Sequence, residues 1–345
     1  MGANGLLHFF RLPVGQRIDD RPVLHQRAQV PFQRARNHIH HCARGLWLDW
    51  QAQGTRVTQN LFHDNQPPAG TEITGELALA EDLFVEVSHG PTLIDNNIFL
   101  SAVSARLCTQ GLAFVHNLIA GSFSYVGEGV NNGGVRLATP RYTPYHVPHE
   151  TELAGFMTIL HGDARFYNNI FLQQPVSQEY LSFARANGLE SMMTFTACAK
   201  PYEGYPTQEE YLSRFTYATA KDRRFRDMYY DHLPVWMNGN VYMNGALPCE
   251  GEDNHQVVNE KVFLSLESGA EGVKLRTDLF EHLPDMQLLM IDTELPGEAF
   301  EPEERFENPD GSPILFNRDY FGCTRDLRLI PGPFARREDA GRILF

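Results

Sequence analysis

The feature that most limits what this chain can fold into is an Asn that recurs at the head of a short apolar run. It occurs as "NHIHH" at Asn37, "NLFHD" at Asn60, "NIFLS" at Asn97, "NLIAG" at Asn117, "NIFLQ" at Asn169 and "NVYMN" at Asn240, at intervals of 23, 37, 20, 52 and 71 residues. The short intervals match one coil of a solenoid, and the long ones read as coils carrying loop insertions. The first insertion is visible as "QPPAGTEITGELAL". Within a coil the residues alternate with period two, and Gly54, Gly90 and Gly111 mark the corner between the first strand and the second. Leucine-rich repeats are not expected, because no LxxLxL frame is present and no amphipathic helix separates successive strands. The expected class is all-β, a right-handed parallel β-helix with loop and helical insertions. In such a solenoid Asn residues at equivalent turns stack and satisfy one another's amides along the axis.

Alternation sets the strand phase. In "DLFVEVS" it sends Leu83, Val85 and Val87 inward and leaves Asp82, Phe84, Glu86 and Ser88 outside. In "GLWLDWQ" it sends Leu46 and Leu48 inward and leaves Trp47, Asp49 and Gln51 outside. Asp49 lies eleven residues before Asn60, and Glu86 lies eleven before Asn97. Equal distance from a stacked Asn means equal position in the coil, so the two acids are expected on neighbouring rungs, ~4.7 to 4.9 Å apart. Like charges opposite one another destabilise a sheet, a cost with no structural purpose. Retaining glycosidases, however, need two carboxyl groups ~5 to 5.5 Å apart, one as nucleophile and one as acid and then base. An ionised neighbour would also raise the second acid's pKa and keep it protonated for the leaving group.

The same count of eleven back from Asn117 reaches Arg106, expected one rung beyond Glu86 as a positioning residue whose cation opposes that rise. Trp47 and Phe84 flank the acids as a candidate sugar platform. Solvated surface acids are the plain alternative; two acids in register, each beside an aromatic, weigh against it.

The formal charge of −14, from 29 Lys and Arg against 43 Asp and Glu, argues against nucleic acid or an anionic membrane as partner and fits a neutral ligand. The five cysteines, Cys42, Cys108, Cys198, Cys249 and Cys323, show no metal-ligand spacing and read as reduced, buried thiols. The start "MGANGLLHFFRLPV" lacks a positive n-region, and no apolar run approaches a membrane span, so a cytoplasmic location is expected.

The stretch "NHIHHCARGLWLDWQAQGTRVTQNLFHDN", followed by "DLFVEVSHGPTLIDNNIFLS", resembles the β-xylosidases of glycoside hydrolase family 120. The resemblance runs from about Asn37 to the C-terminus and is strongest through Asn117 and in "RYTPYHVPH". It implies a right-handed parallel β-helix that releases xylose from the non-reducing ends of xylo-oligosaccharides with retention of configuration. The family's nucleophile matches Asp49 and its acid/base matches Glu86, in agreement with the spacing argument. Family members carry further coils and a β-sandwich upstream, whereas residues 1–36 alternate weakly, are rich in Arg and Gln, and read as an irregular, unmatched segment. An exposed solenoid end is also an unpaired sheet edge, which admits homo-oligomerisation.

Residues 37–254 are expected to form the solenoid, with an insertion at about 175–233, and residues 255–345 to form strands and a turn-rich tail packed on it. The stretch "SFSYVGEGVNNGGVRLATPRYTPYHVPHETELAGF" has the composition of a long ordered loop over the catalytic face, with Arg141, Tyr142, His146 and His149 as candidates to bind sugar hydroxyls. His89, just past Glu86, joins them on phase. No second ligand stands at metal-binding spacing from these histidines, so neither a metal nor any other cofactor is expected. In "TQEEYLSRF", Thr207 and Glu210 form a capping box that starts a helix near Gln208.

Two other functions fit the same pattern. A β-helix polysaccharide lyase would use Arg106 beside the two acids, with Ca²⁺. A non-catalytic solenoid would only bind glycans.

Overall fold

The computed structural model describes residues 32–42, 44–48, 52–66, 81–86, 88–124, 131–132, 135–136, 162–175, 178, 182, 185–186, 207–213, 233–248, 252–300, 302–308 and 310–345. The chain visits three sheets in rotation. The first round is β1 (Phe32–Ala35), β2 (His38–His40) and β3 (Leu46–Leu48), and the second is β4 (Thr55–Thr58), β5 (Leu61–His63) and β6 (Leu83–Glu86). The third is β7 (Thr92–Asp95), β8 (Ile98–Phe99) and β9 (Val103–Cys108), and the fourth is β10 (Gln110–Val115), β11 (Leu118–Ile119) and β12 (Ser122–Ser124).

After a small antiparallel ribbon, β13 (Asn131–Asn132) with β14 (Val135–Arg136), the rotation resumes. The strands β15 (Gly162–Tyr167), β16 (Ile170–Leu172), β17 (Val235–Asn238), β18 (Val241–Met243) and β19 (Gln256–Val258) extend two of the sheets. The first sheet orders as β1-β4-β7-β10-β15-β17, the second as β19-β18-β16-β11-β8-β5-β2 and the third as β12-β9-β6-β3, and every pairing within them is parallel. The architecture is an all-β parallel solenoid.

Residues 32–35, expected in the irregular N-terminal segment, instead form β1, with Phe32 opposite Thr55 and Ala35 opposite Thr58. Their weak alternation hid the strand, whose backbone pairing with β4 does not depend on it.

The asparagines form a continuous ladder. Each side-chain Nδ2 donates to the next Oδ1: Asn37 to Asn60 at 2.8 Å, Asn60 to Asn97 at 2.9 Å, and Asn97 to Asn117, Asn117 to Asn169 and Asn169 to Asn240 at 3.0 Å each. Each Oδ1 from Asn60 onward also accepts the backbone N–H of the preceding ladder Asn. The residue before each Asn, from Arg36 through Gln59, Asn96, His116 and Asn168 to Gly239, has positive φ, which turns the chain sharply enough to aim the amide along the axis. Glu252 ends the ladder, accepting from Asn240 Nδ2 at 2.7 Å and from the Tyr242 hydroxyl at 2.5 Å.

Inside the coils, Leu46, Leu48, Leu83, Val85 and Leu107 from the third sheet meet Val57, Ile94 and Phe114 from the first and Phe62, Phe99 and Phe171 from the second. The rings stack along the axis, with Phe62–Phe99 centroids 4.9 Å apart and Phe171–Tyr242 centroids 5.2 Å apart. The outer faces of the first two sheets are covered by the C-terminal region. Phe306, Ile314 and Phe316 pack on Leu93, Val115 and Tyr167 of the first sheet. On the second, Leu61, Ile98, Leu118 and Ile170 meet Leu279, Phe280, Phe334 and the hairpin of β20 (Leu264–Gly269) and β21 (Gly272–Thr277).

The helix α1 (Gln208–Ser213) starts where its capping box predicts. Glu210 N–H donates to Thr207 Oγ1 at 3.1 Å, and Thr207 N–H donates to Glu210 Oε2 at 2.7 Å. Among the described cysteines, Cys42 and Cys323 are free thiols; Cys42 is buried, but Cys323 is only half-buried, contrary to expectation. Burial, reinforced by Asp82, pushes the Cys42 thiol up to about 11. No helix among the described residues is long and apolar enough to cross a membrane.

Candidate active site

The third sheet builds its outer face from one cross-strand row. Trp47 on β3 pairs with Phe84 on β6, which pairs with Arg106 on β9. Their neighbours Leu46, Leu48, Leu83, Val85, Ala105 and Leu107 are in the interior cluster, so alternation turns the row outward. Trp47 and Phe84 stack with centroids 5.7 Å apart and 24° between planes. The guanidinium carbon of Arg106 lies 4.7 Å from the Phe84 ring centroid, and that of Arg44 lies 4.7 Å from Phe84 and 4.6 Å from Trp47.

Phe84 is fully buried, with a relative exposure of 0%. It cannot serve as an open sugar platform, which corrects the expectation; Trp47, half-buried, is the ring of this pair that reaches the surface. Alternation told which way Phe84 points but not that two guanidinium groups and an indole would cover it.

The register also corrects the placement of Arg106. Counting from the ladder sets Arg106 beside Glu86, but β6 and β9 pair Phe84 with Arg106 and Glu86 with Cys108. The cause is the corner. Six residues lead from Glu86 to Thr92 but only four from Cys108 to Leu112, although Thr92 and Leu112 are partners in the first sheet. The shortened corner brings two glycines of positive φ together, Gly90 and Gly111, and a Cβ on Gly90 would fall 2.1 Å from the Gly111 carbonyl oxygen. His89 is buried at this corner, and its carbonyl oxygen would lie 2.1 Å from a Cβ on Gly111.

Asp49, Arg141, Tyr142, His146 and His149 lie outside the described residues, as does the side chain of Glu86, whose backbone is the last residue of β6. Trp47, Phe84 and Arg106 are the candidates that the structure brings into one row.

Sequence reasoning missed Arg44 and Glu81. Both are buried, and they form an ion pair at 3.3 Å at the entry to the third sheet. The signal was present: Arg44 and Glu81 are separated by the same 37 residues as the register partners Leu46 and Leu83. Asp82, expected on the outside, is instead buried. Its carboxylate is fully buried at the turn before β6, where Asn65 Nδ2 donates to it at 2.8 Å and the Ser101 N–H at 3.0 Å. Burial pushes Asp82 up to about 7 against those hydrogen bonds. These groups fix the start of the strand that carries Glu86.

The described strands form an all-β parallel solenoid with a cationic and aromatic row on one outer face. No family model matches the chain, and no curated protein matches it. Among solved structures, that of XylC in complex with xylose is similar, at 31% sequence identity and a TM-score of 0.60 over 88% of this chain. The chain spans 41% of the length of that XylC chain.

Proposed function

We propose that the protein is a retaining glycoside hydrolase of the β-xylosidase kind, built on a right-handed parallel β-helix, that releases xylose from the non-reducing ends of xylo-oligosaccharides. The observation that carries the reading is the register of β3 and β6. Leu46, Trp47 and Leu48 oppose Leu83, Phe84 and Val85, each 37 residues on, and Asp49 and Glu86 share that separation. Continuing the pairing by one residue would set the two acids on adjacent rungs, ~4.7 to 4.9 Å apart, close to the ~5 to 5.5 Å that retention requires. The likeness to XylC in complex with xylose supports a pentose substrate.

In this reaction the Asp49 carboxylate attacks the anomeric carbon as its bond to the departing oxygen breaks, and Glu86 protonates that oxygen. Glu86 then takes a proton from water, whose oxygen displaces Asp49 and frees xylose. Trp47 would stack on the sugar, and Arg106, over Phe84, would position the row beside Glu86. Arg141, Tyr142, His146 and His149 are proposed to contact hydroxyls, whereas His89, expected among them, is buried at the corner.

Glu86→Ala tests the acid/base. Its kcat/KM on xylobiose should fall about 10²- to 10⁴-fold, while the bond-breaking step with a dinitrophenyl xyloside, whose leaving group needs no proton, is nearly preserved. Added azide should restore turnover and give the β-xylosyl azide. Equal losses on both substrates without azide rescue would remove Glu86 from that role.

A further inference from the structure

The outer face of the second sheet carries an aliphatic row, Leu61, Ile98, Leu118, Ile170 and Val241, each opposite the next. At its N-terminal edge the row changes chemistry. His38, the partner of Leu61, and His40 stand two residues apart on β2, and His63 on β5 is the cross-strand partner of His40. Alternation therefore puts three imidazoles on one face. Their centroids lie 4.4 Å (His38–His40), 4.8 Å (His38–His63) and 4.9 Å (His40–His63) apart, the last pair stacked with 7° between planes. The ring nitrogens are shared in pairs. His63 Nδ1 lies 2.6 Å from Asp64 Oδ2, so its N–H donates to the carboxylate and its Nε2 accepts from His38 Nε2 at 2.6 Å. The exposed His41 adds a fourth ring, with its Nδ1 2.7 Å from His40 Nδ1, and one of these two donates to the other. The His38 ring also stacks with that of Phe345, the last residue of the chain, at 5.0 Å.

We infer that these four imidazoles are an acid-sensitive latch, which in its neutral form fastens the first round of strands to the second and to the C-terminal residue, and which opens that edge of the solenoid when its rings are charged. Each pair shares one proton between two nitrogens. A further proton on an outer nitrogen leaves the shared bond intact, but charging both rings sets N–H against N–H where only a hydrogen bond fits, and the rings must part. Among the described residues, the side chains whose charge bears on His38 and His40 are the other imidazoles and Asp64, and Phe345 brings the terminal carboxylate to the same edge. Asp64 favours a charged His40, yet burial and the neighbouring imidazoles outweigh it. Burial first, then His63, lowers His38 to about 4, and the same causes in the same order lower His40. Asp64, held below its ordinary value chiefly by its hydrogen bond with His63, stays ionised while the rings charge. Because folding lowers these histidine values, the stability they contribute is complete above the ordinary value of 6.5 and is lost as pH falls toward 4. The same round leads on to β3, with Trp47 seven residues past His40, so opening would loosen the strand that carries the candidate platform. The latch itself does not depend on the glycosidase reading.

The test is hydrogen exchange of the full chain, read by mass spectrometry at about pH 7.5 and about pH 5 and corrected for the intrinsic pH dependence of exchange. Peptides covering residues 37–48 and the C-terminal peptide should open at least about tenfold more readily at the lower pH, the scale that linkage gives for half-exposed rings partly screened by solvent. The peptide containing β15 and β16 should change little. His38→Gln combined with His40→Gln should remove the pH response, and His282→Gln, at another surface position, should keep it. Should the double variant fail to fold, His40→Gln alone serves, and should move the onset of opening to lower pH. Protection that is the same at both pH values in the native chain, or a response that survives unchanged in the His38 and His40 variants, overturns the inference.

Discussion

Replacing Asp49 by Asn is expected to lower hydrolysis of an aryl β-xyloside by at least about four orders of magnitude, the scale of loss when a covalent nucleophile is removed. The amide keeps the size and polarity of the carboxylate but cannot form the glycosyl–enzyme bond. Folding should not suffer. On the proposed placement Asp49 and Glu86 oppose one another and repel, so removing one charge should leave the unfolding free energy unchanged or raise it. Near-native turnover in Asp49→Asn would contradict the assignment. A loss of activity matched by a loss of structure would make Asp49 a folding residue instead.

The second large effect falls on stability. Asn97→Ala is expected to cost about 3 to 5 kcal/mol, read from the shift of a urea midpoint at constant m-value. Asn97 is fully buried. Its Oδ1 accepts the Asn60 N–H at 3.0 Å and Asn60 Nδ2 at 2.9 Å, and its Nδ2 donates to the Val57 and Asp95 carbonyl oxygens at 2.8 and 3.0 Å and to Asn117 Oδ1. Truncation deprives buried groups on both sides of their partners, at about 1 to 3 kcal/mol for each left unsatisfied. Asn37→Ala, at the half-buried end of the ladder, removes a donor to Asn60 but no acceptor used by another ladder Asn, and should cost only about 1 kcal/mol. Equal costs at the two positions would contradict a directional ladder.

Much of the frame was legible because its signals are local. An Asn heading an apolar run names a turn of the coil without further information, and all six such asparagines are in the ladder. The inward phase of Leu46, Leu48, Leu83 and Val85, with Trp47 and Phe84 on the other face, was legible for the same reason, since alternation fixes which side chains share a face.

What escaped depended on lengths and coverings that alternation does not encode. Arg106 sits opposite Phe84 rather than Glu86 because one corner is two residues shorter than its neighbour. Phe84 is covered because Arg44, held by Glu81, and Arg106 both reach its ring. Glu252 ends the ladder with a carboxylate in place of an amide, so no search for asparagine finds it. The cover that Phe306, Phe316, Phe280 and Phe334 lay over two outer faces is a long-range choice that no local pattern encodes.

The most direct test is covalent trapping. Incubating the full chain with a 2-deoxy-2-fluoro-β-xylosyl donor bearing a good leaving group slows both steps and lets the intermediate accumulate. Intact mass and peptide mapping should then show one fluoroxylosyl group per chain, attached within the peptide that contains Asp49. Labelling of a different carboxylate, or an unmodified chain, would contradict the two-carboxylate site on the third sheet.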